Sequence, residues 1–303
     1  MFYSRKLKLM GNRFVISIDA ESETRAEEFI DRAVAEISRI EKLLTTFSED
    51  SITGRVNANA GLKPVEVPEE FFQLVSRARK ISELTQGAFD LSYGSIDKRL
   101  WNFDQTMTVL PTAEALENLR LINYRNILLD DSRCTVFLKE KGMRIGFGGI
   151  GKGYAADRAS RLLQELGVQN GVVNASGDLK TWGSYNGRPW TISVADPDAP
   201  AFPFSELEVG EMAVATSGTY EKFTVIEGKR YSHTIDPRTG LPVTGIKSVT
   251  VVCPYAELAD AMATPLSVLG IDKSLQLINQ MSHMACILID DHNRIFTSKN
   301  LCA

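Results

Sequence analysis

Gly146-Phe147-Gly148-Gly149-Ile150-Gly151-Lys152-Gly153-Tyr154 is the stretch on which the reading of this chain turns. It lies between a strand-like segment and a helix whose apolar positions are Ala155, Ala159, Leu162, Leu163 and Leu166. Glycines let a backbone come close to an anion, and the helix N-terminus behind them adds a positive dipole. Such a turn either cradles a phosphate or simply permits close packing. The spacing Gly146-x-x-x-x-Gly151-Lys152 stops one residue short of a triphosphate-binding loop, because Gly153 stands where Ser or Thr would bind magnesium. That loss argues against a P-loop nucleotidase and leaves a diphosphate-binding turn of another kind open.

On the N-terminal side, Phe14 to Ile18 reads as a strand and Thr24-Arg25-Ala26-Glu27 as a capping box. The helix it opens carries Phe29, Ile30, Ala33, Val34, Ile37, Ile40 and Leu44 at helical spacing, a core stripe. Ser51 to Gly61 is read as a polar loop, and Pro68 begins a second helix. Thr85 to Asp104 is irregular, Pro111 to Leu119 a short helix, and 126–129 with 134–139 paired strands. Beyond the turn come short β segments at 171–174, 190–194, 214–216, 224–226 and 248–252. Helices at 258–269 and 273–281 and a terminal hairpin complete the chain. With no linker in between, the expectation is one domain of two sheet-and-helix halves.

At 303 residues the chain can bury a substantial core, and its 44% hydrophobic and 24% charged residues exclude neither globularity nor solubility. A net charge of -4 argues against a general nucleic-acid surface. Basic residues near Met1 have no apolar run behind them, so no signal peptide is read and a cytoplasmic protein is expected. Export or anchoring through a leader absent from this chain is the alternative. The four cysteines lack metal-type spacing.

Chemistry concentrates in Tyr231-Ser232-His233-Thr234-Ile235-Asp236-Pro237-Arg238-Thr239-Gly240 and in Ala259-Asp260-Ala261-Met262-Ala263-Thr264. A histidine titrates near neutrality, so His233 is a candidate base. Asp260 and Thr264 are one helical turn apart, and their hard oxygens suit magnesium rather than zinc. Asp236 either orients His233 or caps the turn at Pro237. Asp178 and Glu221 are read as turn residues with solvated carboxylates.

Several motifs in order then resemble one family, the FAD:protein FMN transferases, or ApbE-type flavin-trafficking proteins. They are Met10-Gly11, Thr46-Phe47-x-x-Asp50-Ser51, Gly87-Ala88-Phe89-Asp90, Gly148 to Asp157, and Ser176-Gly177-Asp178. Thr216-Ser217-Gly218-x-Tyr220-Glu221, Ser232-His233-x-Ile235-Asp236-Pro237-x-Thr239-Gly240 and Ala259-Asp260-x-x-Ala263-Thr264 complete the series. The resemblance spans nearly the whole chain and implies an α/β (α+β), ApbE-like (T-fold-like) single domain over residues 1–303, its sheet mostly antiparallel. It also implies a magnesium-dependent enzyme that moves the FMN half of FAD onto a Thr or Ser hydroxyl of a target protein and releases AMP.

Carried over by position, Gly149 (through its carbonyl), Asp260 and Thr264 would hold the metal. FAD would meet Met10, Phe47, Ala88, Phe89, Asp90, Gly146, Lys152, His233 and Thr234. Gly146 stands where many members have Asp, and Phe47 where Tyr is frequent. Phe47 and Phe89 are equally readable as stacking platforms or core. A magnesium-dependent FAD pyrophosphatase giving FMN and AMP uses the same site with water as acceptor, and a non-catalytic flavin carrier would leave His233 idle.

Overall fold

The structure is a computed structural model and describes residues 1–96, 119–195, 203–218, 223–226, 229–232 and 234–302. His233, Trp101, Tyr220, Glu221 and almost all of the helix expected at 111–119 lie outside the described residues.

Phe2–Leu9 forms β1 and Asn12–Asp19 forms β2, paired antiparallel from Phe2↔Asp19 to Leu9↔Asn12. Met10 (φ 50°) and Gly11 (φ 71°) make the turn, and positive φ at both positions matches the right-handed twist of a two-residue hairpin. Helix α1 (Glu23–Leu44) follows. Its cap is Ser22, whose Oγ accepts from the Arg25 N–H at 3.3 Å, rather than Thr24 of the expected capping box. Ile30, Ile37 and Ile40 are fully buried along α1. Each contributes about 2 kcal/mol against about 1 for a cap, so the stripe and not the cap decides this helix.

The loop expected at 51–61 contains helix α2 (Ile52–Ala58). Ser51 Oγ accepts from Gly54 N at 2.8 Å, and Asn57 turns inward. The Asn57 amide donates to Ile145 O at 3.1 Å and accepts from Ile145 N at 2.8 Å, so a residue that reads as loop-forming is recruited by a distant backbone. Strand β3 (Val65–Glu66), helix α3 (Glu69–Leu84), β4 (Ile127–Asp130) and β5 (Thr135–Leu138) come next. The strands form a small sheet in the order β3-β5-β4.

Helix α4 (Gly151–Glu165) leads into β6 (Gly171–Ala175) and β7 (Asp178–Trp182). Strands β8 (Trp190–Ala195) and β9 (Pro203–Val209) form a separate hairpin. Then come β10 (Ala213–Gly218), the hairpin β11 (Phe223–Ile226) and β12 (Lys229–Ser232), and β13 (Ile246–Cys253). Helices α5 (Ala256–Leu269) and α6 (Ile271–Ile278) precede β14 (Ala285–Asp290) and β15 (Ile295–Thr297). No helix among the described residues is long and apolar enough to cross a membrane.

The main sheet is antiparallel throughout, in the order β1-β2-β6-β7-β10-β13-β14-β15. The two expected halves therefore share one sheet and meet where β7 pairs with β10. One face buries Phe14, Ile16, Val173, Ala215, Val249, Val251 and Leu288 under α1, α4 and α5. The other face carries Leu179, Val214 and Val252 beneath Trp190 and Val209 of the β8–β9 hairpin.

The tips Met10–Gly11 and Ser176–Gly177 lie at the same end of the sheet, because β2 pairs with β6 through Phe14↔Ala175. Lys152 at the start of α4 reaches Asp178, the first residue after the second tip. That end of the sheet holds the site.

Candidate functional site

Ile150 begins α4 without a side-chain cap, so the first backbone N–H groups of the helix need partners. The Gly153 N–H finds one in Asp260 Oδ2 at 3.0 Å, from the neighbouring α5. Only glycine permits this approach. A Cβ at Gly153 would lie 2.1 Å from the Ala256 carbonyl oxygen and 2.8 Å from Asp260 Cβ. The position where a triphosphate loop would place a hydroxyl is thus a contact between helices.

Asp260 is 5% exposed, and its other oxygen, Oδ1, meets the Lys152 ammonium at 3.5 Å. That ammonium also donates to Asp178 Oδ2. Asp178 is 4% exposed, so its expected reading as a solvated turn residue is overturned. The reason is register. Ser176 (φ 59°) and Gly177 (φ 101°) form a tight turn that starts β7 at Asp178, and alternation points Asp178 and Lys180 toward the helices. Burial alone would push the Lys152 pKa down, but Asp260 and Asp178 outweigh it and hold the ammonium above its ordinary value. Two buried carboxylates, Asp260 and Asp178, thus meet at one ammonium.

Thr264 lies one turn along α5, half-buried, and its hydroxyl has no hydrogen-bond partner among the described residues. Gly149 precedes α4, and the Phe89 ring lies 3.6 Å from where its Cβ would be. Among the described residues no three His, Cys, Asp or Glu side chains gather as a metal cage. The three expected ligands, Asp260, Thr264 and Gly149, would supply one carboxylate, one hydroxyl and one carbonyl. Hard oxygens of this kind suit magnesium rather than a thiophilic metal, so the residue types fit such an ion.

A cleft of about 640 Å³ opens next to this cluster, within the size range of small-molecule sites. Met10, Phe47, Gly146, Gly148 and Lys152 line it, together with Glu41 and Arg144. Phe47 is 95% exposed at its edge, so core packing does not explain the ring. The Met10 methyl lies 3.6 Å from where a Gly151 Cβ would be.

Ala88 and Phe89 are buried beside the cluster, and Phe89 belongs to the main core. Asp90 accepts from the Ser92 N–H, the Ser92 hydroxyl and the Tyr124 N–H, so its carboxylate ties its own loop to the segment at Tyr124. Burial pushes that carboxyl up, partly countered by those bonds. Thr234 is buried, and its carbonyl accepts from Val243 N. Asp236 takes the Arg238 N–H at 2.9 Å and pairs with its guanidinium at 2.8 Å, which makes it a turn cap. Arg238 in turn packs near Gly87, returning this loop to the Phe89 segment.

A second cleft of about 770 Å³ lies between α3, α4 and the start of α5. Its floor holds Asp157, which accepts from Ala256 N at 2.9 Å and Glu257 N at 2.8 Å. Each helix therefore supplies the aspartate that caps the other. Sequence reasoning quoted Asp157 and Asp178 in motifs but gave Asp157 no role and Asp178 only that of a turn residue. The available signal was β7 itself, five residues in which two charges alternate onto the side that faces α4.

The ApbE family profile matches residues 10–288. A protein named FAD:protein FMN transferase from Klebsiella pneumoniae (strain 342) is 32% identical over 299 residues, covering 98% of this chain and 92% of that protein. The crystal structure of an ApbE protein from Thermotoga maritima MSB8 aligns with a TM-score of 0.89 at 30% identity, over 100% of this chain and 98% of that one. The apo flavinyl transferase ApbE of Pseudomonas stutzeri aligns at 0.86 with 27% identity, over 99% and 95%.

Proposed function

The chain belongs to the ApbE family, and from that membership together with the site we propose that it transfers the FMN moiety of FAD to a Thr or Ser hydroxyl of a target protein, releasing AMP. The observation that carries the reading is near full-length similarity to relatives of that name, with the Lys152 cluster at the wall of a ligand-sized cleft. Gly149, Asp260 and Thr264 would hold magnesium, which when bound neutralises diphosphate charge and polarises the attacked phosphorus.

The chain's own residues supply the rest. Phe47 offers an exposed ring for stacking at the edge of the cleft, and Met10 and Gly146 shape its wall. Lys152 brings a permanent positive charge toward the diphosphate. The acceptor hydroxyl forms a bond to the FMN phosphorus as the bond to the AMP oxygen breaks. Its proton passes to His233, a base contribution on the order of 10²–10⁴ in rate.

Mixing the protein with FAD, magnesium and a flavin-accepting protein tests this. The expected result is an FMN adduct on a hydroxyl residue by mass spectrometry and equimolar AMP by chromatography, both lost in His233→Ala. FMN released to solvent, with no adduct, would replace the transferase reading with the pyrophosphatase one. Neither adduct nor AMP would end both.

A further inference from the structure

Lys152 lies where two functions compete for it. Its ammonium touches Asp260, the only carboxylate among the three expected metal ligands, and Asp178, which is not one of them. We propose that Lys152 is the site's resident counter-ion, held over Asp260 by Asp178, and that a divalent cation reaches Asp260 only by displacing that ammonium toward Asp178. The inference rests on the metal assignment above and extends it to the order of assembly.

The geometry supports an exchange. The Lys152–Asp260 contact, at 3.5 Å, is the long one of the pair, so it is the contact that yields. Asp260 cannot follow the ammonium, because its Oδ2 is fixed by the Gly153 N–H. Asp178 is anchored at the head of β7 beside a two-residue turn, so it keeps its hold on Lys152 while Oδ1 of Asp260 is vacated. A cation arriving alone would place its charge beside the displaced ammonium. A cation arriving with a diphosphate brings the anion that accepts that ammonium. Metal and dinucleotide thus bind cooperatively, and by linkage each raises the affinity for the other by the same factor. Asp178 acts here as a positioning residue, through Lys152.

Mn²⁺ titration of the FAD-free protein, followed by the electron paramagnetic resonance signal of the free ion, tests the proposal. Lys152→Gln should bind Mn²⁺ more tightly than the native protein, by about tenfold or more, the scale on which one neighbouring charge acts. Asp178→Asn leaves the ammonium only Asp260 and should bind Mn²⁺ more weakly. Added FAD should strengthen Mn²⁺ binding far more in the native protein than in Lys152→Gln. A merely structural role would weaken binding in both variants.

Lys152→Gln binding no tighter than native, while Asp260→Asn abolishes binding, overturns this inference and leaves the metal assignment standing. Unchanged Mn²⁺ binding in Asp260→Asn overturns both. If Lys152→Gln does not fold, the FAD effect in Asp178→Asn decides: added FAD should strengthen Mn²⁺ binding more there than in the native protein, and an equal or smaller effect overturns the proposal.

Discussion

Asp157 and Asp260 perform the same local task and differ in what is left over. Each caps the first turn of the other's helix, Asp157 on α5 and Asp260 on α4. Both oxygens of Asp157 are taken by backbone N–H groups. Asp260 gives one oxygen to Gly153 and keeps the other against the Lys152 ammonium. A carboxylate whose oxygens are both filled by the backbone is scaffold, whereas one with an oxygen facing a side-chain charge keeps an acceptor that a ligand can claim. The count of committed lone pairs, rather than burial or residue type, separates the two.

The sharpest break of this comparison is Asp260→Asn. It keeps an acceptor for Gly153 and removes the charge, so flavin transfer should fall by about 10³-fold or more, roughly 4 kcal/mol of transition-state stabilisation, with the melting temperature little changed. Activity retained within a factor of ten would strip Asp260 of its special status.

Gly153→Ala attacks the scaffold shared by both caps. Its Cβ would meet the Ala256 carbonyl oxygen at 2.1 Å, a backbone atom that cannot swing aside. A loss of about 3 kcal/mol is expected from the denaturant midpoint, since overpacking that forces backbone shifts sits at the upper end of its usual range.

Asp157→Asn should cost about 1–2 kcal/mol, because an amide can accept only one of the two N–H groups. It should also alter the pH profile. Burial, partly offset by the Glu257 and Ala256 N–H groups and by Lys180, pushes the Asp157 carboxyl up to about 6 from 3.8. Between those values the folded state holds more proton than the unfolded one. This group's contribution to stability is therefore present at low pH, falls as pH rises through about 4 to 6, and is constant above that. Chemical denaturation across that window should show a slope that flattens in the Asn variant.

Gly146→Ala marks the gentle end. Its Cβ would sit 3.7 Å from Thr46 Cγ2, ordinary van der Waals contact, so stability should change by less than about 0.5 kcal/mol. A larger loss would mean that the two ends of the glycine-rich turn are under the same constraint after all.

What could be read from the chain follows the range of each interaction. The α1 stripe, the paired strands near 127–138 and the turn into α4 are local patterns, and they fold where periodicity puts them. Helix α2 escaped because its Ser and Asn residues favour loops until Asn57 meets Ile145, far along the chain. Strand β1 reads as a basic N-terminus until its pairing with β2 gives it a partner. Family motifs picked out Lys152 and Asp260. They could not reveal that Asp178 binds the same lysine, since Ser176-Gly177-Asp178 reads locally as a turn and its burial depends on which face β7 presents. Asp90 carries the same lesson, as a motif residue whose Oδ1 holds the local Ser92 while its Oδ2 takes the N–H of the distant Tyr124.

The two-residue reversal at Ser176 and Gly177 has an unforgiving corollary. Strand side chains alternate with a period of two, so an extra residue taken up by β7 instead of by the reversal would rotate Asp178 and Lys180 to the opposite side of the sheet and bring Leu179 under α4. An insertion at this corner is therefore harmless only when the reversal itself absorbs it, although the corner lies at the molecular edge, where added residues are usually without consequence.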